Sequence, residues 1–159
     1  MDPSAQPQRH RPAHFPSVPD NNRAIIIFLT VCTKNRRRCL ATHFVHKDFQ
    51  TAVIAADHWL VGRYVVMPDH IHLFCSPGTV PERPLSNWVR FWKASMCKAL
   101  CAPEGTFWQT DFWDRQLRSR ESYDEKWEYV RQNPVRAGLV ERSDDWPFQG
   151  ELNILRWHD

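Results

Sequence analysis

Two histidines one residue apart, His70 and His72, sit in the stretch VVMPDHIHLF (65–74). On a strand, residues i and i+2 leave the same face. The pair would then aim two imidazoles at one point, while Ile71 turns to the opposite, core-facing side. Two neutral imidazoles can fill two positions on one divalent ion. Taken alone, the pattern fits two histidines on a sheet surface better than a metal site. A second group lies in SYDEKWEYVRQN (122–133). At helical spacing Tyr123, Trp127 and Val130 share an apolar stripe, and Tyr129 lies roughly 100° from its centre. Asn133 follows Tyr129 by one turn on the same face. There an amide oxygen can serve as a ligand and a phenol as a nucleophile. The plainer alternative is a surface tyrosine and an asparagine that ends its helix before Pro134.

The elements that must position these groups follow from periodicity. AIIIFLTVCT (24–33), rich in β-branched and aromatic residues, reads as a buried strand. Residues 47–58 carry apolar side chains near helical spacing. WLVGRYVVM (59–67) and HIHLFC (70–75) read as strands joined by a turn at Pro68-Asp69, hence an antiparallel hairpin. Residues 84–100 form a helix opened by proline, with Leu85, Trp88, Val89, Trp92, Met96 and Ala99 on its apolar face. A fourth strand and its approach loop fall within 107–117. A third helix spans 122–133 and stops at Pro134, because the residue before proline is pushed out of the helical region. Residues 134–159 read as a tail with a turn at 144–147.

The order strand, helix, strand, strand, helix, strand, then an extra helix matches the split βαβ, ferredoxin-like antiparallel sheet of an α+β fold. The expected boundaries are a disordered arm over 1–22, a single domain over 23–150, and a short tail over 151–159. The arm carries five prolines in its first 20 residues, a density that resists regular structure.

The 159 residues suit one domain with a real core. Net charge is only +3, but the basic residues cluster as Lys34, Arg36, Arg37 and Arg38, and as Arg115, Arg118 and Arg120. Such clusters are solvated surface in most proteins and the footprint of phosphate binding in others. Eight Trp and nine Phe can fill a core or stack on bases. Five Cys without a CxxC pair make neither a disulfide framework nor a zinc ribbon. No stretch nears the roughly 20 apolar residues of a membrane span. With no signal-peptide pattern, a cytoplasmic location is the default.

Three segments in this order, VVMPDHIHLF (65–74), FWQTDFWDRQLR (107–118) and EYVRQNPVRAGLV (128–140), resemble the single-tyrosine HUH transposases, and among them the REP-associated tyrosine transposases of bacteria. The likeness runs from about Ile25 to Phe148. It implies a ferredoxin-like fold, a Mg²⁺ or Mn²⁺ ion on the HUH histidines, and a helix-borne tyrosine that forms a 5′-phosphotyrosine bond. His70 and His72 match the HUH pair, Tyr129 the nucleophile, and Asn133 a third, amide ligand; related enzymes use Gln there. The resemblance further implies a single-stranded or hairpin DNA partner and a monomer or a homodimer. Lys34, Arg36, Arg37, Arg38, Arg115 and Arg118 would then hold the strand. Of Trp108, Phe112 and Trp113, at least two are expected in the core.

The chemistry is consistent. Tyr has a reference pKa near 10 and is a weak nucleophile at neutral pH without help. A metal on neutral ligands keeps its charge to polarise a phosphate. One rival is a DNA-binding protein that has lost catalysis and acts only at repeat hairpins. Another is an RNA-binding module on the same plan, which needs exposed aromatics where His70 and His72 stand. A zinc hydrolase lacks both HExxH and an acid/base carboxylate.

Overall fold

Ile27–Cys32 forms the first strand, β1, its side chains alternating between two buried faces. The computed structural model describes residues 25–118 and 122–156; the expected arm over 1–22 and Arg120 lie outside the described residues. After a 3₁₀ turn at Lys34–Arg36, helix α1 runs His43–Ala55. It begins four residues before the apolar periodicity suggests, because the Thr42 side chain caps it by accepting the Val45 N–H at 3.1 Å.

Strands β2 (Trp59–Val66) and β3 (His70–Pro77) form the expected hairpin. Helix α2 covers Leu85–Ala99 and buries Trp88, Val89, Trp92 and Met96. Strand β4 is short, Trp113–Gln116. Helix α3, Tyr123–Arg131, starts on a Ser122 cap with Asp124 and Glu125 in its first turn and Arg131 in its last, which suits the helix dipole.

The sheet order is β4-β1-β3-β2-β5 with antiparallel pairing throughout. Its first four strands have the ferredoxin-like arrangement that the order of elements implies. Two cores result. One lies under α1 and α2 and holds Leu29, Val31, Phe49, Ile71, Leu73 and Trp92. The other lies under α3 and holds Ile26, Val65, Phe74, Tyr123 and Val130.

Two expectations about the chain after Val130 need correction. Pro134 does not simply end a helix. Helix α3 stops at Arg131, Gln132 makes the joint, and α4 restarts over Asn133–Arg136 with Pro134 in its first turn. There a missing N–H costs nothing. The segment after it is no loose tail either: Gln149–Glu151 forms β5 on the edge of β2. Trp146 is buried and donates its ring N–H to Val66 O at 3.0 Å.

Candidate active site

The register fixes which residues share the face under α3. Cys32 pairs with His70, Thr30 with His72 and Phe28 with Phe74. On the far side of β1, Trp113 pairs with Thr30 and Arg115 with Phe28. Side chains directly opposite in an antiparallel pair lie on the same face. His70, His72, Thr30, Phe28, Trp113 and Arg115 therefore form one surface, while Ile71 is fully buried on the other side.

His70 and His72 point their Nε2 atoms at each other, 3.1 Å apart. Each Nδ1 is held from behind: His70 by Asp69 Oδ1 at 2.7 Å and His72 by Thr30 Oγ1 at 2.8 Å. The Phe28 ring stacks on His72 with centroids 5.2 Å apart. Arg36 Nε donates to Asp69 Oδ2 at 2.9 Å, so the carboxylate bridges an arginine and a histidine. Although burial opposes its ionisation, Arg36 and His70 hold the Asp69 carboxyl below its usual range. Burial lowers the His70 pKa against the pull of Asp69. Burial, then the charges of His70, Lys126, Arg36 and Arg136, lower that of His72 to about 3. Both rings are neutral at pH 7, as metal ligands must be.

This donor set fits a divalent ion. Two nitrogens about 2.1 Å from an ion and at a right angle to each other stand about 3.0 Å apart. The outer nitrogens carry the carboxylate and hydroxyl partners that fix ring orientation in metal-binding histidines. Among the described residues no third His, Cys, Asp or Glu completes a metal-holding group. A further ligand would have to be an amide, water or substrate oxygen.

Helix α3 lies across this surface. Tyr123 and Val130 are buried and Trp127 packs edge-on against Phe74, with centroids 6.3 Å apart. Tyr129 is turned out, 63% exposed. Lys126 Nζ is 5.2 Å from the Phe28 centroid and 5.8 Å from that of Tyr129, and so links the histidine surface to the tyrosine. Arg136 lies 4.2 Å over the Tyr129 ring and donates to Tyr129 O at 2.8 Å and Asn133 Oδ1 at 2.6 Å. The structure thus joins Tyr129 and Asn133 through Arg136, across the joint between α3 and α4.

The REP-associated tyrosine transposase of Escherichia coli (strain K12) is 32% identical over 127 residues, which cover 76% of this chain and 73% of that protein. This chain belongs to the REP-associated tyrosine transposases. A candidate REP-associated tyrosine transposase of Haemophilus influenzae (strain Rd) is 23% identical over 145 residues, 81% of each protein. A solved structure of a REP-associated tyrosine transposase bound to a REP hairpin matches with a TM-score of 0.72 at 25% identity, covering 86% of this chain and 80% of that one. No family model matches the chain. As a REP-associated tyrosine transposase it is an enzyme acting on DNA.

The basic residues of this transposase divide by position. Lys34, Arg36, Arg37 and Arg38 are all exposed on the turn after β1. Three of them also brace it: Lys34 Nζ donates to Gly105 O at 2.9 Å, Arg37 to Thr106 O at 3.1 Å, and Arg36 to Asp69. The turn is strained, since Asn35 and Arg36 take φ of 56° and 52°, a conformation that costs a non-glycine residue ~1–2 kcal/mol. Thr33 holds it, its buried hydroxyl shared between Arg37 O and Asp69 O. Strain of this kind collects at functional sites. Arg115 stands on the histidine face, and Arg118 follows β4. Trp108 and Phe112 are buried, whereas Trp113 is 38% exposed on the histidine face.

Sequence reasoning did not single out Thr30, Asp69, Phe28, Lys126 or Arg136. Asp69 had a signal, as a carboxylate next to the first histidine. Thr30 and Phe28 reach the site only through strand register. No linear pattern carries that.

No helix among the described residues is long and apolar enough to cross a membrane.

Proposed function

We propose that Tyr129 cuts single-stranded DNA beside a REP-type hairpin by attacking a backbone phosphate. His70 and His72 would hold a Mg²⁺ or Mn²⁺ ion there, with Asn133 as a third ligand. The observation that carries this reading is the convergence of the two Nε2 atoms on the face that α3 crosses with an exposed tyrosine. The hairpin enters by analogy with the matching solved structure, which is of a relative bound to one.

The phenol oxygen of Tyr129 bonds to phosphorus and the bond from phosphorus to the 3′ oxygen breaks. That oxygen keeps the electron pair, and the proton from the phenol is exchanged to it through solvent. A 5′-phosphotyrosine and a free 3′-hydroxyl result. One ester replaces another, so the reverse attack rejoins strands without ATP. The ion, when bound, supplies positive charge to the phosphate as negative charge develops on it. Lys126 and Arg136 place two more cations beside Tyr129 and His72. A phosphate entering the site competes with Asn133 for the Arg136 guanidinium, and that exchange frees the amide oxygen. Lys34, Arg37, Arg38, Arg115 and Arg118 would hold the flanking strand.

Hairpin DNA with single-stranded flanks, labelled at its 3′ end, tests the reading on a denaturing gel. A labelled protein band is expected with Mn²⁺ or Mg²⁺. EDTA, His70→Ala and His72→Ala each should remove it while hairpin binding persists, because affinity is spread over many phosphates. Asn133→Ala should slow the reaction less, since water can replace a neutral oxygen ligand. An adduct indifferent to EDTA rules out the metal-assisted mechanism. Tight hairpin binding with no adduct under any condition favours the catalytically silent DNA-binding reading.

A further inference from the structure

A cleft of about 1040 Å³ lies outside the site described above. It is on the other side of the 33–37 turn, between α2 and the loop that leads from α2 into β4. Lys34, Arg90, Lys93 and Lys98 line it, against two carboxylates, Glu104 and Asp111. Val89, Ala94 and Trp108 supply apolar surface to its lining, and Val89 and Trp108 belong to the core under α2.

Lys93 is the telling residue. It is half-buried on α2, where burial lowers its pKa although Asp111 pulls the other way. Its ammonium donates to Gln109 O at 2.8 Å. A lysine ammonium has three N–H donors, and this bond uses one of them. Around it Arg90 and Lys98 lie before and after Lys93 along α2, and Lys34 lies on the turn after β1. A volume of this size holds more than a drug-sized ligand. Spaced cations beside apolar surface suit a chain that alternates phosphates with flat, apolar-faced bases. Duplex DNA stacks its bases inward and offers only phosphates; the apolar surface would then have no partner.

The cleft also connects to the histidine site through covalent neighbours. Lys34 and Asn35 line it. The next residue, Arg36, binds the Asp69 carboxylate that supports His70, and Arg37 binds the loop at Thr106 O. The turn is a shared wall, one side on each site.

We propose that this cleft is a single-stranded DNA site, seating a few unpaired nucleotides that continue from the strand held at His70 and His72. Arg90, Lys93 and Lys98 bind its phosphates. The continuation to the histidine pair rests on the proposed function; the binding of an unpaired strand in the cleft does not.

The test uses the full chain, fluorescence anisotropy, and two probes: labelled (dT)8 and a blunt hairpin with no tail. Work at about 0.15 M salt keeps the Debye length near 8 Å, so distant charges are screened. Arg90→Glu/Lys98→Glu changes two exposed residues and should bind (dT)8 at least about tenfold more weakly. Its salt slope should be shallower by about 1.4, at about 0.7 for each phosphate left without its cation. Blunt-hairpin affinity should stay within about twofold, as should both affinities in the equally charge-changed control Arg83→Glu/Arg142→Glu. Lys93→Met, which keeps the apolar stem, should weaken (dT)8 alone; if it fails to fold, the exposed pair still decides. Unchanged (dT)8 binding overturns the proposal. So does an equal loss on the blunt hairpin, which marks a general field instead of a strand site. The tyrosine adduct is scored in the same preparations on hairpins with dT tails. An adduct with unchanged (dT)8 binding sinks this inference alone, while lost (dT)8 binding with no adduct in the wild type sinks the nuclease reading alone.

Discussion

Tyr123 and Tyr129 lie under two turns apart on α3, yet their surroundings are opposite. Tyr123 is 5% exposed, and its hydroxyl accepts the Arg63 backbone N–H at 3.0 Å. That N–H lies where the β2–β3 register shifts between Val61 and Tyr64. Burial pushes the Tyr123 phenol up to about 12, against the pull of that bond and of Arg63. Tyr129 is 63% exposed and its ring lies between Lys126 and Arg136. The same residue type serves first as a buried strut and then, one face round the helix, as an exposed group whose hydroxyl has no hydrogen bond among the described residues. A nucleophile must keep its reacting atom free. The packing stripe of α3 decides which tyrosine can.

The largest expected effect separates the two directly. Tyr129→Phe should form no covalent adduct, with its urea midpoint and hairpin affinity unchanged, since it loses one exposed hydroxyl. Tyr123→Phe should keep the adduct per folded molecule and lose about 1–3 kcal/mol of stability, because it leaves a buried N–H without its acceptor. A denaturing gel and a urea melt on each variant read both. An adduct that survives in Tyr129→Phe and disappears in Tyr123→Phe would reverse the assignment.

The strut can be attacked from the other side. A Cβ built on Gly62 would lie 2.6 Å from Leu155 Cγ and 2.7 Å from the Tyr123 hydroxyl. Gly62→Ala should therefore cost about 1–3 kcal/mol by overpacking. Added to Tyr123→Phe, which removes the hydroxyl in its way, it should cost measurably less than alone. Strict additivity in urea melts of the four proteins would show that Tyr123 and Gly62 are not in contact.

How much of this contrast could be read from the sequence follows the same division. The helical stripe of Tyr123, Trp127 and Val130 is visible in one turn-by-turn pattern, and so is the displacement of Tyr129 from it. The i, i+2 histidines and the hairpin that presents them are equally local. The start of α1 was hidden because Thr42, a cap, has no periodicity of its own. Strand β5 escaped because three residues are too few to show alternation. It forms through what it meets: Gly150 packs so near Tyr64 that a Cβ there would lie 2.9 Å from its hydroxyl. The break after Arg131 was hidden because Pro134 is as compatible with a first turn as with a stop. Thr30, Phe28, Lys126 and Arg136 are assembled by strand register and helix placement, which are properties of the whole fold.

Arg136 tests the reactive end. It bonds Tyr129 O and Asn133 Oδ1 and covers the tyrosine ring. Arg136→Gln should lower the rate of adduct formation about tenfold, equivalent to about 1.4 kcal/mol in the barrier. Hairpin affinity should fall about threefold or less, because one cation among several is lost. Single-turnover kinetics at saturating hairpin separate the two effects. An unchanged rate with much weaker binding would make Arg136 a DNA contact only.

The smallest effect is in pH, and the two ends of α3 should fail in opposite directions. At the Tyr123 end the folded pKa is raised, from 10.0 to about 12. Its contribution is complete below pH 10 and is lost as pH rises through 10 toward 12, where the unfolded chain gives up a proton that the folded chain keeps. Near the Tyr129 end the His72 pKa is lowered, from 6.5 to about 3. Its contribution is complete above pH 6.5 and is lost as pH falls toward 3, because the unfolded chain then binds a proton that the folded chain refuses. For one group with such a shift, linkage gives a loss of about 0.7 kcal/mol between pH 7 and pH 6 for His72, and about the same between pH 9.5 and pH 10.5 for Tyr123. Urea melts in EDTA at these pairs of pH values measure each end. Tyr123→Phe should be flatter than the wild type on the alkaline side only, and His72→Gln on the acid side only. Buried Tyr64 and half-buried His46, also shifted, stay in every variant and cancel in the comparison. If Tyr123→Phe flattens the acid limb instead, the two ends of α3 are not electrostatically separate, and the contrast between strut and proposed nucleophile loses its physical basis.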